Sequence, residues 1–134
     1  MTRSTADLTS EGRQFLIDRH LASYTCLESD GSPHVTVVGF TWDEANETAW
    51  IITNGTSHKA RNSATGGPVA LCQFEGPQWL SLLGTSRVTN DPIEVAGAVE
   101  RYARRYRKPK ESPERVAIAI TVTGLRGSQS FFCD

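Results

Sequence analysis

The chain has few cysteines and no pattern among them. Cys26, Cys72 and Cys133 lie far apart, and no CxxC pair occurs. A disulfide framework and a structural zinc motif are therefore excluded, and three reduced thiols in a cytoplasmic protein are expected. The histidines are as sparse: His20, His34 and His58 form no HxH or HExxH pattern, so no metal site is expected. No apolar run approaches the ~18 residues of a membrane helix. The opening MTRSTADLTSEG lacks the apolar stretch of a signal peptide. A formal net charge of −1 provides no overall attraction for a nucleic-acid backbone. GxGxxG, GxxxxGK(S/T) and internal repeats are also missing, which argues against a Rossmann or P-loop nucleotide site. No local Ser–His–Asp arrangement or paired-carboxylate signature supports a hydrolase. If the chain is an enzyme, a bound cofactor carries the chemistry.

The 134 residues suit one domain spanning 1–134, with 38% apolar and 22% charged residues, as in an ordinary globular chain. Thr9 or Ser10 can cap a first helix that ends near His20, with Leu8, Phe15 and Leu16 facing inward. Two β-rich runs follow, LASYTCLES and PHVTVVGFTW, separated by Asp30–Gly31–Ser32, which is a hairpin signal. Further strands are expected over 48–53, 68–74, 78–89 and 115–124. Gly84 suggests a bulge in the fifth. A short helix is expected over 57–64, stopped by Gly66 and Gly67. A longer one is capped by Asp91 with Pro92 at its first position. Val95, Val99, Tyr102 and Tyr106 form its apolar stripe, and its other face is basic. Six strands joined mostly by short turns, with three helices, predict a mainly β fold: a six-stranded antiparallel barrel with flanking helices.

The stretch TNGTSHKARN (53–62) carries the clearest chemical signal. Ser57 can cap the helix and donate to an anion, Lys59 and Arg61 add charge within a turn, His58 adds a donor, and Gly55 allows a tight turn. The same residues also suit a capped helix with two solvated cations, so composition leaves both readings open. A second cluster comprises Arg101, Arg104, Arg105, Arg107, Lys108, Lys110 and Arg115. It reads either as a solvated helix face or as a landing site for an acidic ligand tail. Trp42 and Trp50 suit a core or an interface; Trp79, opening a strand after Gly76–Pro77, is the better candidate for ligand stacking.

A strand ending in Thr53–Asn54, followed by Ser-x-Lys-Ala at a helix start (Ser57, Lys59, Ala60), resembles the flavin-phosphate motif of the pyridoxamine 5′-phosphate oxidase-like split β-barrel superfamily. DGSPHVTVVGFTWD (30–43) is similar to the hairpin of the same superfamily, and the likeness covers about residues 11–128. FLIDRHLASYTCL, ITNGTSHKARN, ALCQFEGPQWLSLLG and RYARRYRKP resemble most the deazaflavin (F420)-dependent branch, the flavin/deazaflavin oxidoreductases of group B, and within it the actinobacterial biliverdin reductases. The resemblance implies an oxidoreductase that transfers hydride from reduced coenzyme F420 to an unsaturated organic substrate such as biliverdin. FMN is the alternative cofactor, and a non-catalytic F420- or tetrapyrrole-binding protein the alternative role. It further implies that the backbone of Val37, Val38 and Gly39 lies along the ring system. Thr53 and Asn54 would lie near the ribityl chain, and Ser57, His58, Lys59 and Asn62 at the phosphate. Gln78 and Trp79 would come from the second subunit of a homodimer. The flavin enzymes typically have Arg where His58 stands here. An Arg fork grips a terminal phosphate in two places, whereas a weaker cationic site suits the singly charged phosphodiester of F420.

Overall fold

The computed structural model describes residues 3–18 and 20–133. In chain order the elements are α1 (Ser10–Ile17), β1 (Ala22–Leu27), β2 (Pro33–Val38), β3 (Thr41–Asp43), β4 (Thr48–Asn54), α2 (His58–Ser63), β5 (Pro68–Glu75), β6 (Gln78–Thr89), α3 (Pro92–Arg105) and β7 (Arg115–Gly127). Single 3₁₀ turns sit at Thr5–Asp7 and Gln129–Phe131. The strands form one sheet in the order β2-β1-β5-β6-β7-β4-β3, with every pairing antiparallel.

The expected six strands are seven. The run PHVTVVGFTW is not one strand but two, because its halves have different partners: β2 pairs with β1, and β3 pairs with β4. These partners place β2 and β3 at opposite edges of the sheet, yet only Gly39 and Phe40 join them. Three Cα steps cover at most about 11 Å. The two edges are therefore drawn together and the sheet is rolled into a barrel. Its hydrogen-bond ladder stays open along one seam, which the chain itself crosses; this is a split β-barrel.

Alternation along the strands fills the barrel. Tyr24, Ile51, Leu71, Leu80, Leu82, Ile118 and Ile120 are all fully buried and share one core cluster. Helix α1 closes an end. Thr9 Oγ1 accepts from the Gly12 N–H at 3.1 Å, and the helix stops at Ile17, three residues short of His20. The C-terminal Phe131 stacks on Phe15 at 4.6 Å, so the SQSFF segment packs on its own barrel. A Cβ at position 12 would fall 2.4 Å from the Phe131 carbonyl oxygen, which explains Gly12. Gly84 sits at the register shift between β6 and β7, where a Cβ would meet the Thr121 carbonyl oxygen at 2.0 Å.

Helix α3 packs on the outside, against β3, β4 and β7. The alternation of β7 serves both sides: Ile118 and Ile120 enter the core, while Ala117 and Ala119, also buried, lie outside that cluster. The basic face of α3 is not wholly solvated. Arg105 turns inward, stacks over the Phe40 ring at 4.7 Å, and donates to the Phe40 carbonyl at 2.9 Å and to Gln73 Oε1 at 3.0 Å. It also donates to the Asp18 carbonyl. Tyr106 Oη adds donors' reach to the same crossover, lying 2.9 Å from the carbonyls of both His20 and Phe40. No described helix is long and apolar enough to cross a membrane.

Candidate functional site

The seam produces the site. At the end of β4 the chain must turn sharply into α2, and side chains lock that turn. Asn54 Oδ1 accepts from the Thr56 N–H at 2.9 Å and from its hydroxyl at 2.8 Å. The Gly55 N–H donates to the Glu114 carbonyl at 2.9 Å, and a Cβ there would stand 3.2 Å from Val116 Cγ1. Ser57 caps α2 by accepting from the Ala60 N–H at 3.2 Å, and its hydroxyl lies 3.1 Å from that of Thr53.

A groove of about 380 Å³ lies between β2 and the end of β4. Val37, Val38 and Gly39 form one wall, Thr53 and Asn54 the other, and Lys59 reaches in from α2. The segment around and beyond α3 completes it with Tyr102, Pro109, Ser112 and Arg115. A Cβ at position 39 would come within 3.1 Å of the Tyr106 ring and 3.4 Å of Tyr102, so glycine lets the two tyrosines close on the crossover. Arg115 is held by donating to the Lys110 carbonyl at 2.6 Å. Lys59 and Arg115 make the groove cationic at the β4 end, while the exposed Val37 makes the β2 side apolar. This donor set fits a long molecule with a flat ring system at one end and an anionic group at the other.

The expected site residues divide by face. Val37, Val38, Gly39, Thr53, Asn54 and Lys59 converge on the groove. Ser57 stands at the cap beside Thr53. His58 and Asn62 line a separate hollow of about 630 Å³ on the other side of α2, together with Leu27 and Arg61. There His58 stacks on His34 with ring centres 5.8 Å apart, and His34 Nδ1 lies 3.8 Å from the Cys26 thiol. Burial pushes that thiol up from its ordinary value. Gln78 donates to Glu11 Oε1 at 3.3 Å. Trp79 lines a third hollow with Arg3, Leu125 and Phe132. Within one chain, neither lines the groove.

Sequence reasoning does not place Tyr102 and Ser112 at this site, since Tyr102 reads as part of an apolar stripe. Arg115 belongs to the basic run that reads either as a solvated face or as a landing site for an acidic ligand tail, and nothing in the sequence sets it beside the groove. Beside Tyr102 a further hollow of about 320 Å³ opens, lined also by His20, Leu21, Tyr106 and Arg107.

A rolled antiparallel sheet, with a cofactor-sized groove in its seam and a capped turn beside it, defines a split β-barrel of the flavin-binding type. The chain belongs to the pyridoxamine 5′-phosphate oxidase family, whose model matches residues 8–129. It is 43% identical over 128 residues to an F420H2-dependent biliverdin reductase from Mycobacterium tuberculosis (strain CDC 1551 / Oshkosh), covering 96% of this chain and 93% of that one. Among solved structures, a protein of unknown function from Agrobacterium tumefaciens superposes with a TM-score of 0.76 at 22% identity, over 91% of this chain. This chain spans 56% of that longer one. A protein described as an F420 reductase superposes at a TM-score of 0.70 with 22% identity, over 85% of this chain and 94% of its own. At these identities the superpositions establish the fold.

Proposed function

We propose that this protein is an F420H2-dependent reductase that passes a hydride to an unsaturated organic acceptor, with biliverdin to bilirubin as the reaction. The observation that carries this reading is the convergence of the β2 edge, the Thr53–Asn54 strand end and Lys59 on one groove. The relative named for that activity supports it across nearly the whole chain. When bound, reduced F420 supplies the hydride. The residues of this chain bind and align. The Val37–Gly39 edge lies along the ring, Thr53 and Asn54 along the sugar-alcohol chain, and Ser57 and Lys59 at the phosphodiester. With His58 turned to the other side of α2, the groove keeps one lysine and one arginine, a set better matched to a diester than to the dianionic phosphate of FMN. Lys110 and Arg115 of the basic run continue the cationic path toward the acidic tail of F420.

The working unit is a homodimer. Val35, Val37, Phe74 and Trp79 stand 61%, 65%, 59% and 40% exposed on the β2–β1–β5–β6 side of the barrel, an apolar face suited to a partner. Val37 belongs both to this face and to the groove, so a second copy seated there borders the cofactor, and its Gln78 and Trp79 complete the site. The free Cys26, Cys72 and Cys133 fit a reducing cytoplasm.

The test is a fluorescence titration with F420 and, in parallel, FMN, followed by mixing the reduced F420 complex with biliverdin. F420 binding with prompt reoxidation by biliverdin is expected. FMN binding in place of F420, or F420 binding with no reoxidation, would remove the cofactor or the acceptor from this reading respectively.

A further inference from the structure

The hollow beside Tyr102 adjoins the groove and shares that tyrosine with it. It opens beside the crossover, because Gly39 packs under Tyr102 and Tyr106. Its contents are chemically uneven. Leu21 is 60% exposed and, with the Tyr102 ring, offers a flat apolar wall. Arg107 is exposed, and among the described residues no carboxylate pairs with it. His20 rests against the Phe15 ring at 4.9 Å, and its Nδ1 lies 3.5 Å from Glu75 Oε2. The neighbouring carbonyl of His20 is held by Tyr106, so this backbone is fixed.

We propose that this hollow is the acceptor subsite, taking a flat conjugated molecule that carries a carboxylate, an assignment that rests on the reductase reading above. Leu21 and Tyr102 face the ring system, Arg107 pairs with the carboxylate, and His20 delivers the proton that accompanies the hydride. The balance is as follows. A C–H bond forms at the acceptor carbon from the hydride, and the π bond there breaks. Its electron pair takes the proton from the His20 imidazolium at the conjugated nitrogen. The acceptor is reduced by two electrons and the cofactor oxidised by two, with the cofactor's surplus proton passing to solvent. Solvent returns a proton to His20 at the Glu75 side, where that carboxylate is exposed.

The test uses biliverdin and its dimethyl ester on the full chain. Without F420, Arg107→Ala is expected to weaken biliverdin binding about tenfold, as for loss of a charge-assisted contact, read by tryptophan quenching. The same variant should bind the ester within about twofold of the parent protein, since the ester has no charge to lose. His20→Gln should bind F420 and both bilins as the parent does. Its turnover should fall about 10²–10³-fold, with added imidazole restoring part of it, which a merely structural histidine would not permit. Equal effects of Arg107→Ala on acid and ester, or parental turnover in His20→Gln, would overturn the assignment. A parent protein that binds F420 but never reduces biliverdin fails the reductase reading instead, and the acid–ester contrast still decides where the carboxylate binds.

Discussion

The Arg105 guanidinium donates to the Phe40 carbonyl at 2.9 Å, so helix α3 grips the two-residue crossover that joins the edges of the sheet. The same side chain serves Gln73 Oε1 and the Asp18 carbonyl, and its burial lowers its pKa from the ordinary guanidinium value. Removing it takes a donor from Gln73 Oε1 and the Asp18 carbonyl and leaves the Phe40 carbonyl to Tyr106 alone. Arg105→Met is expected to lower stability by about 2–4 kcal/mol, read as a fall in the urea midpoint. Because the crossover is a wall of the groove, F420 affinity should fall with it even at temperatures where the variant is folded.

Lys59 is half-buried and reaches the groove from the second position of α2. Lys59→Ala is expected to cost about 1.5–3 kcal/mol of F420 binding, a rise in Kd of roughly 10- to 150-fold, with the thermal midpoint little changed. His58→Ala, on the opposite side of the helix, should leave F420 affinity within a few-fold. An equal loss in both variants would mean that the phosphate is held by the helix start as a whole.

Two glycines should respond differently to one added methyl group. In Gly84→Ala the Cβ would sit 2.0 Å from a backbone oxygen inside the β6–β7 ladder, where neither strand can retreat. That variant is expected to lose more than about 3 kcal/mol or fail to accumulate as folded protein. In Gly39→Ala the contact is with tyrosine rings at 3.1 Å, which can give by a few tenths of an ångström. It should fold, with weaker cofactor binding, as measured by paired unfolding and titration curves.

Tyr24 is fully buried and bonds the Ser63 hydroxyl at 2.6 Å. Burial pushes its pKa from 10.0 up to about 12. The sign follows from proton linkage: the fold keeps the proton that the unfolded chain releases. This stabilising preference is fully present below pH 10 and is lost as pH rises from 10 toward 12. Absorbance titration should show Tyr24 ionising only well above pH 10, together with alkaline unfolding.

The outer face bearing Phe74 and Trp79, which pair across β5 and β6, is expected to hold a second copy. Phe74→Asp should shift the protein toward monomer in sedimentation equilibrium and weaken F420 binding in parallel. Monomer that binds F420 as tightly as the parent would detach the partner from the site.

The elements most legible in the sequence are those with marked ends. β6 runs from Gln78 to Thr89 as expected, because Gly76–Pro77 precedes it and the Asp91–Pro92 cap follows. The Asp30–Gly31 turn likewise fixed the first hairpin, with Gly31 at a φ of 86°. What was hidden depended on distant partners. Nothing local says that Val38 and Thr41 belong to opposite edges, since pairing is chosen by β1 and β4. The inward turn of Arg105 depends on carbonyls at positions 18 and 40, far away along the chain. His58 and Lys59 line different hollows, in keeping with the ~100° between consecutive helical residues. His58 and Asn62, four apart, share a face and do so here.

β2 is an edge strand, paired with β1 alone. On its groove side the backbone N–H and C=O groups have no strand to answer them, and in the proposed site a bound ring system would take the place of the missing neighbour. Recognition of that kind would rest on main-chain atoms, which side-chain replacements other than proline leave in place. A saturation library at position 37, whose side chain is 65% exposed, would therefore look permissive toward apolar replacements even if the residue touches the ligand throughout, whereas position 38, buried in the core, would be limited by packing. Proline would be the exception, since it alone deletes a backbone donor. Tolerance at position 37 would reflect how the ligand is held, and would not show that it lies outside the site.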